Sequence, residues 1–346
     1  MNKAKHVSII IVSLNGKHWL QRCLPTIQKQ TYRNFEIICV DNGSTDETVQ
    51  WLHEKYPEVI VIPLEENLGF ADGNNKGYEK ANGEYIYFLN NDTELHETAI
   101  SELVLALEKD KQIGGVQSKL LLMVDKKRLD TIGAFLTPTG FLYHNKFSYL
   151  DNAKFDEPTR LYTLKGASMM FRKKILDMVS LNGYIFDPDY FAYFEETDLC
   201  HRIWLTGYTL NYAPNAIVWH HMGATSSLMD NNYVQFHSFK NRVMTYIKLF
   251  EWKTLIPLLV IHFAICELFA LISLFRGNLL LWLRIQEAFL WNLIHISAIL
   301  KKRHFIWKHI KKKADNDILP IILKHPPYEY YIHWLQGKPF LKDIHV

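Results

Sequence analysis

Along the first ninety residues, short apolar runs alternate with polar loops. VSIIIV (7–12) is a continuous β-branched run, the composition of a parallel strand covered on both faces. Behind it Trp19, Leu20, Cys23, Leu24 and Ile27 recur at helical spacing, interrupted by Pro25. FEIICV (35–40), VIVIP (59–63) and YIYFL (85–89) read as three more strands. Within DNGSTDETV, Ser44 and Glu47 form an S-x-x-E capping box, so a helix is expected near Thr45, and another from Asn75 to Lys80 behind a Gly-rich loop. Strands and helices alternating in this way predict an α/β fold with a mostly parallel sheet flanked by helices.

The last third has a different pattern. Leu255 to Phe275 is almost continuously apolar, LLLWL (279–283) follows, and KKRHFIWKHIKKK (301–313) packs seven Lys or Arg around Phe305 and Trp307. Charge divides the same way. Residues 1–230 hold 23 Lys and Arg against 29 Asp and Glu, net −6; residues 231–346 hold 16 against 7, net +9. We therefore expect a catalytic-type domain over 1–230 and a helical, basic and apolar region over 231–346. At 346 residues and 48% hydrophobic the chain buries a large core, which excludes a disordered class. Its four cysteines form no C-x-x-C pair, so zinc and redox chemistry are not indicated and a reduced setting is expected. The run behind the basic MNKAKH is shorter than a signal peptide needs, and reads as the first strand.

Each predicted strand ends in small polar side chains. Ser13 and Asn15 follow the first, Asp41, Asn42 and Ser44 the second, Asn67 to Phe70 the third, and Asn90, Asn91 and Asp92 the fourth. Any one of these is a good turn sequence. Their recurrence at successive strand ends points instead to one cleft, because ligands of such sheets bind beyond the carboxyl ends of the strands. Farther on, FDPDYFAYFEETDLCHR leads apolar residues directly into Glu195, Glu196 and Asp198. Such acidity suits a solvated helix start; it also suits a general base, since an apolar wall raises a carboxyl toward the working pH.

These segments, SIIIVSLNG (8–16), VDNGSTD (40–46), NLGFADGNNKG (67–77), FLNNDT (88–93), GASMMFRK (166–173), YFEETDLCHR (193–202) and AIVWHH (216–221), run in one order over about two thirds of the chain. Together they resemble the family 2 glycosyltransferases, inverting enzymes of the GT-A fold, and most closely the rhamnosyltransferase and galactofuranosyltransferase branch of bacterial surface polysaccharides. The resemblance implies a nucleotide-sugar donor, UDP- or dTDP-linked, bound by Ser13, Asn15, Asp41, Asn67, Asp72, Asn74, Asn90 and Asn91. The strand-end cluster matches the D-x-D position, with Asn90 replacing its first carboxylate. Asp92 is then the ligand of a divalent cation, Mg2+ or Mn2+, whose hard-oxygen preference it meets. His220 is expected as a second ligand, ahead of His221. The acidic motif implies a base at Glu196 or Glu195, with Asp198 beside them.

On this reading the protein is an inverting, metal-dependent transferase moving a sugar to a hydroxyl of a glycan or lipid-linked acceptor in cell-surface polysaccharide synthesis. It carries no Arg-Trp dipeptide, the core of the family's polymerising motif, so transfer of one or a few sugars is expected. A nucleotidyltransferase and a non-catalytic sugar-binding or scaffold subunit are the alternatives. Nucleic acid is not an expected partner. Residues 125–163 are expected to shape the sugar and acceptor sites. Leu255 to Phe275 is long enough to span a bilayer, but His262 and Glu267 are costly in lipid. A peripheral or hairpin-inserted contact with the cytoplasmic face of the plasma membrane is expected, and a hairpin buried on the catalytic domain is the other reading.

Overall fold

The computed structural model describes residues 5–223 and 230–327. Strand and helix alternate through β1 (Val7–Ser13), α1 (Lys17–Gln28), β2 (Phe35–Asp41), α2 (Thr48–Lys55), β3 (Ile60–Pro63), α3 (Gly69–Lys80) and β4 (Tyr85–Leu89). Then come β5 (Thr93–Leu95), α4 (Ala99–Glu108), β6 (Ile113–Leu122), β7 (Leu129–Thr131), β8 (Ala134–Leu136) and β9 (Leu142–His144). The sheet part ends with β10 (Ser168–Arg172), α5 (Lys173–Val179), α6 (Glu195–Thr206) and β11 (Thr209–His220). The central sheet runs β3-β2-β1-β4-β10-β6-β11-β5, with β7 paired on β6. Its first four strands are parallel, as their unbroken apolar composition requires. The sheet is mixed beyond them, because β10 runs antiparallel between β4 and β6.

These directions decide where the site lies. The carboxyl ends of β1 to β4, β6 and β11 and the amino ends of β10 and β5 fall along one edge. Strand pleating divides the core: Ile10, Ile38 and Phe88 face one layer with α3, α5 and α6, while Ile9, Ile11, Cys39 and Tyr87 face α1 and α4.

Two helix starts differ from expectation. α2 begins at Thr48, three residues late, because Glu47 takes a left-handed φ of +63° that no helical turn accepts. The Asp46 carboxylate accepts the Thr48 N–H instead, and Ser44 Oγ accepts from Asn15 N–H at 2.8 Å. α3 begins at Gly69, so Asp72 and Asn74 lie inside a helix rather than in a loop.

The C-terminal part is helical: α7 (Asn231–Leu249), α8 (Trp252–Phe275), α9 (Leu279–Ile294), α10 (Ile296–His309) and α11 (Asp315–Ile322). The hydrophobic cluster that contains Ile10 and Phe88 continues through Val243, Tyr246, Leu255, Ile299 and Ile306. α9 buries Leu281, Ile285, Ala288 and Asn292, a single stripe at helical spacing. α8 is two-sided. Leu255, Leu258, His262, Cys266 and Ala270 are buried, whereas Ile256, Val260, Leu268, Leu271 and Phe275 are exposed, Phe275 by 88%. His262 donates from Nδ1 to the Thr139 carbonyl at 3.0 Å, and Glu267 accepts from Gln286 Nε2 at 3.0 Å. Both polar groups are thus satisfied within the protein.

Candidate active site

A cavity of about 330 Å³ opens where the polar strand ends converge. Its first wall is built on amides. Asn42 Nδ2 donates to Asn67 Oδ1 at 2.7 Å and to the Gly69 carbonyl at 3.0 Å, and Asn42 Oδ1 accepts the Leu68 N–H. Gly69 holds φ +79°, and a Cβ there would stand 2.4 Å from the Phe191 carbonyl oxygen. Only glycine permits that approach. Through it, and through Ala71 N–H donating to Phe191 O at 3.1 Å, the loop after β3 rests on the turn that leads into α6.

The second wall is the strand-end cluster Asn90, Asn91 and Asp92. Asn91 Nδ2 donates to Ser13 Oγ at 2.9 Å. A Cβ on Gly16 would lie 2.3 Å from that Asn91 nitrogen. His221 N–H donates to the Asp92 carbonyl at 3.0 Å and so fixes the Asp92 backbone against β11.

Behind this wall four charged or titratable groups form a chain. Asp92 Oδ1 faces His220 Nε2 at 3.5 Å, His220 Nδ1 lies 2.7 Å from Asp130 Oδ2, and Asp130 Oδ1 lies 2.5 Å from Lys165 Nζ. Asp92 is 6% exposed and Asp130 fully buried. Asp92 Oδ1 has no hydrogen-bond partner among the described residues. Burial acts to raise the Asp130 carboxyl, yet Lys165 and His220 outweigh it and hold the group well below the usual carboxylate range.

Glu195 and Glu196 stand at the start of α6. The preceding turn holds Phe191, Tyr193 and Phe194 at φ of +61°, +72° and +72°, three non-glycine residues in a costly conformation of the kind that clusters at functional sites. Both glutamates line the cavity, and Oε2 of each lacks a partner among the described residues. Burial is the main reason both carboxyls titrate above the ordinary range, and the charge of Glu196 pushes Glu195 higher still.

The other expected residues lie elsewhere. Asp198 does not line the cavity: it is fully buried, paired with Arg202 at 2.9 Å and Lys248 at 2.8 Å. Asn15 Oδ1 accepts the Thr45 N–H at 2.7 Å and Asp41 Oδ2 accepts the Ser44 N–H at 3.0 Å, with Asp41 Oδ1 buried and unpartnered. Asp72 accepts from Asn75 Nδ2, and Asn74 Nδ2 donates to the Phe70 carbonyl, so neither lines the cavity. His221 packs against Trp19 with ring centroids 4.4 Å apart and planes tilted by 53°, and it does not line the cavity.

The sequence reading missed Lys165 and Asp130, as well as the role of Asn42 as a brace. The available signal was LDTI (129–132), a carboxylate between Leu129 and Ile132 that, once buried, must find a cation.

Asp92 and His220 are the residues with the means to share a metal ion. An orphaned, buried carboxylate oxygen beside an imidazole nitrogen is an oxygen and nitrogen donor set that Mn2+ accepts. Among the described residues no group of three or more His, Cys, Asp or Glu converges for a metal, so a cation here also needs oxygens from a ligand.

A mixed α/β sheet with a polar cleft at this edge and facing acidic groups is the arrangement of nucleotide-sugar transferases of the GT-A fold. Residues 8–179 match the family model of Glycosyl transferase family 2. Over 239 residues the chain is 29% identical to an uncharacterised glycosyltransferase of Haemophilus influenzae, covering 67% of this chain and 70% of that protein. It is 24% identical to the poly-beta-1,6-N-acetyl-D-glucosamine synthase of Staphylococcus epidermidis over 62% of this chain and 49% of that one. Its fold is similar to that of GalNAc-T7, solved with UDP, GalNAc and Mn2+, at a TM-score of 0.57 and 17% identity, covering 73% of this chain and 49% of that one. The domain over residues 8–179 belongs to the family 2 glycosyltransferases, and the enzymatic class of the protein is glycosyl transfer.

Proposed function

We propose that the cavity transfers a sugar, with inversion, from a UDP- or dTDP-linked donor to a hydroxyl of a glycan or lipid-linked acceptor during cell-surface polysaccharide synthesis. One observation carries this reading: two neighbouring carboxyls, each with an oxygen that has no hydrogen-bond partner among the described residues, line the same cavity as an orphaned aspartate oxygen and its histidine. Asp92 and His220 would hold a divalent cation, which neutralises charge on the departing diphosphate. Asn42 and Asn67 brace the loop along which the donor lies. Glu196 takes the proton of the acceptor hydroxyl as that oxygen bonds to the anomeric carbon, and the bond to the diphosphate breaks on the opposite face. Its raised basicity comes from burial. Glu195, more deeply buried beside it, is the other candidate for this proton.

The acceptor is supported by the outer face of the C-terminal helices. Among the described residues one helix, Trp252–Phe275, is long and apolar enough to cross a membrane. Its His262 and Glu267 are bonded within the protein, so the reading it supports best is a helix lying in the membrane surface, apolar side down, at the cytoplasmic face. Lys301, Lys308, Lys312 and Lys313 are exposed, and their charge suits anionic lipid.

The test is release of nucleoside diphosphate from UDP-, dTDP- and GDP-sugars with Mg2+ or Mn2+. Turnover of one donor class that depends on the cation supports the reading. No release from any donor in the presence of membrane extract overturns it.

A further inference from the structure

Asp130 is the carboxylate that the proposed transfer leaves without a role, and it is the most firmly held group of the site. It sits fully buried on β7, with Oδ2 2.7 Å from His220 Nδ1 and Oδ1 2.5 Å from Lys165 Nζ. Sheet pairing makes this possible, because β6 runs between β7 and β11: Leu121 pairs with Leu129 on one side and with Trp219 on the other. A carboxylate only accepts hydrogen bonds, so its partner on the ring, Nδ1, is the nitrogen that carries the proton. In the neutral ring the lone pair of Nε2 is then free for a cation beside Asp92, whose Oδ1 lies 3.5 Å away.

Charge balance alone does not require this geometry. Lys165 by itself compensates a buried carboxylate, yet Asp130 spends its second oxygen on His220. We infer that Asp130 is a positioning residue, fixing the tautomer and ring plane of His220 so that Nε2 faces the cation position beside Asp92, with Lys165 fixing Asp130 in turn. The inference rests on the cation site proposed above. Carboxylates that orient ligating histidines in this way are worth roughly 10–100-fold in metal affinity.

The experiment measures Mn2+ binding to the full chain by electron paramagnetic resonance, with whichever of UDP, dTDP and GDP binds most tightly. Pulsed measurements report the coupling of imidazole nitrogen to Mn2+. Wild type should show that coupling, Asp92→Ala should lose Mn2+, and Asp130→Asn should bind Mn2+ about 10–100-fold more weakly with the coupling reduced. Asp130→Glu, which restores a carboxylate, should recover part of both. Should Asp130→Asn fail to fold, the double substitution Asp130→Asn with Lys165→Met, which also removes the stranded ammonium, carries the same test. If wild type and Asp92→Ala bind Mn2+ alike, or neither binds it, the cation reading falls and this inference with it. If Asp92→Ala loses Mn2+ while Asp130→Asn keeps wild-type affinity and nitrogen coupling, the inference about Asp130 alone is overturned.

Discussion

Lys248 Nζ lies 2.8 Å from Asp198 Oδ1, with both side chains fully buried. The two come from different parts of the chain: Lys248 from α7, Asp198 from α6, two residues past Glu196. Lys248 also reaches Asp187 at 2.7 Å, and Lys302 of α10 reaches Asp187 and Asp189. Cations from the helical region thus neutralise the acids that bracket the turn from 187 to 196.

Removing one partner of such a network strands a buried charge. Lys248→Met should cost about 3–5 kcal/mol in urea unfolding. An unchanged midpoint would show that the network contributes nothing to stability. A truncation near residue 245 removes the same ammonium and should not leave a folded catalytic unit.

The same acids set the acid limit of stability. Burial acts to raise the Asp187 and Asp198 carboxyls, but Lys248, with Lys302 for Asp187 and Arg202 for Asp198, pulls both below the ordinary value. A depressed folded pKa stabilises above the unfolded value of about 4, and that stability is lost as pH falls through the folded value. Unfolding free energy should therefore drop steeply below about pH 4, and Lys248→Met should flatten that slope. The same slope in both proteins would contradict this.

Much of this was legible from residue pattern. The four parallel strands follow from apolar runs, and the cleft from the polar residues that end them. What escaped depends on tertiary placement. Asp130 and Lys165 lie 35 residues apart and meet only because the strands between them are paired as they are. The three acids of EETD read as one cluster in sequence, but Asp198 is taken up by Arg202 and Lys248 and does not line the cavity with the two glutamates. Of the basic run, Lys302 and Arg303 read as membrane anchors, yet they turn inward. Lys302 pairs with Asp187 and Asp189, while Arg303 donates to the Ile247 and Phe250 carbonyls. No local pattern separates these from Lys301 and Lys308, which remain exposed.

Membrane contact can be tested on that distinction. Neutralising Lys301, Lys308, Lys312 and Lys313 should weaken sedimentation with anionic vesicles by about 1 kcal/mol per residue, an effect that salt suppresses. Lys302→Gln should lower stability with little effect on vesicle binding. Equal vesicle binding by the fourfold variant and wild type would sink the electrostatic part of the account.

Acid should also switch off the proposed base. Since burial raises the Glu196 carboxyl above its ordinary 4.5, kcat should rise with pH along a limb whose midpoint lies above that value. Glu196→Gln should abolish the limb along with most of the rate. An acid limb that persists unchanged in the variant assigns it to another group.

The central claim is that Asp92 serves donor binding and Glu196 the chemistry, and single-turnover kinetics beside donor affinity tests it most directly. The account predicts that Glu196→Gln lowers the transfer rate by about 10²–10⁴-fold at nearly unchanged donor Kd, whereas Asp92→Ala weakens donor binding itself. Glu195→Gln giving the rate defect instead would move the base by one residue. Wild-type transfer rates in both glutamate variants would contradict the account.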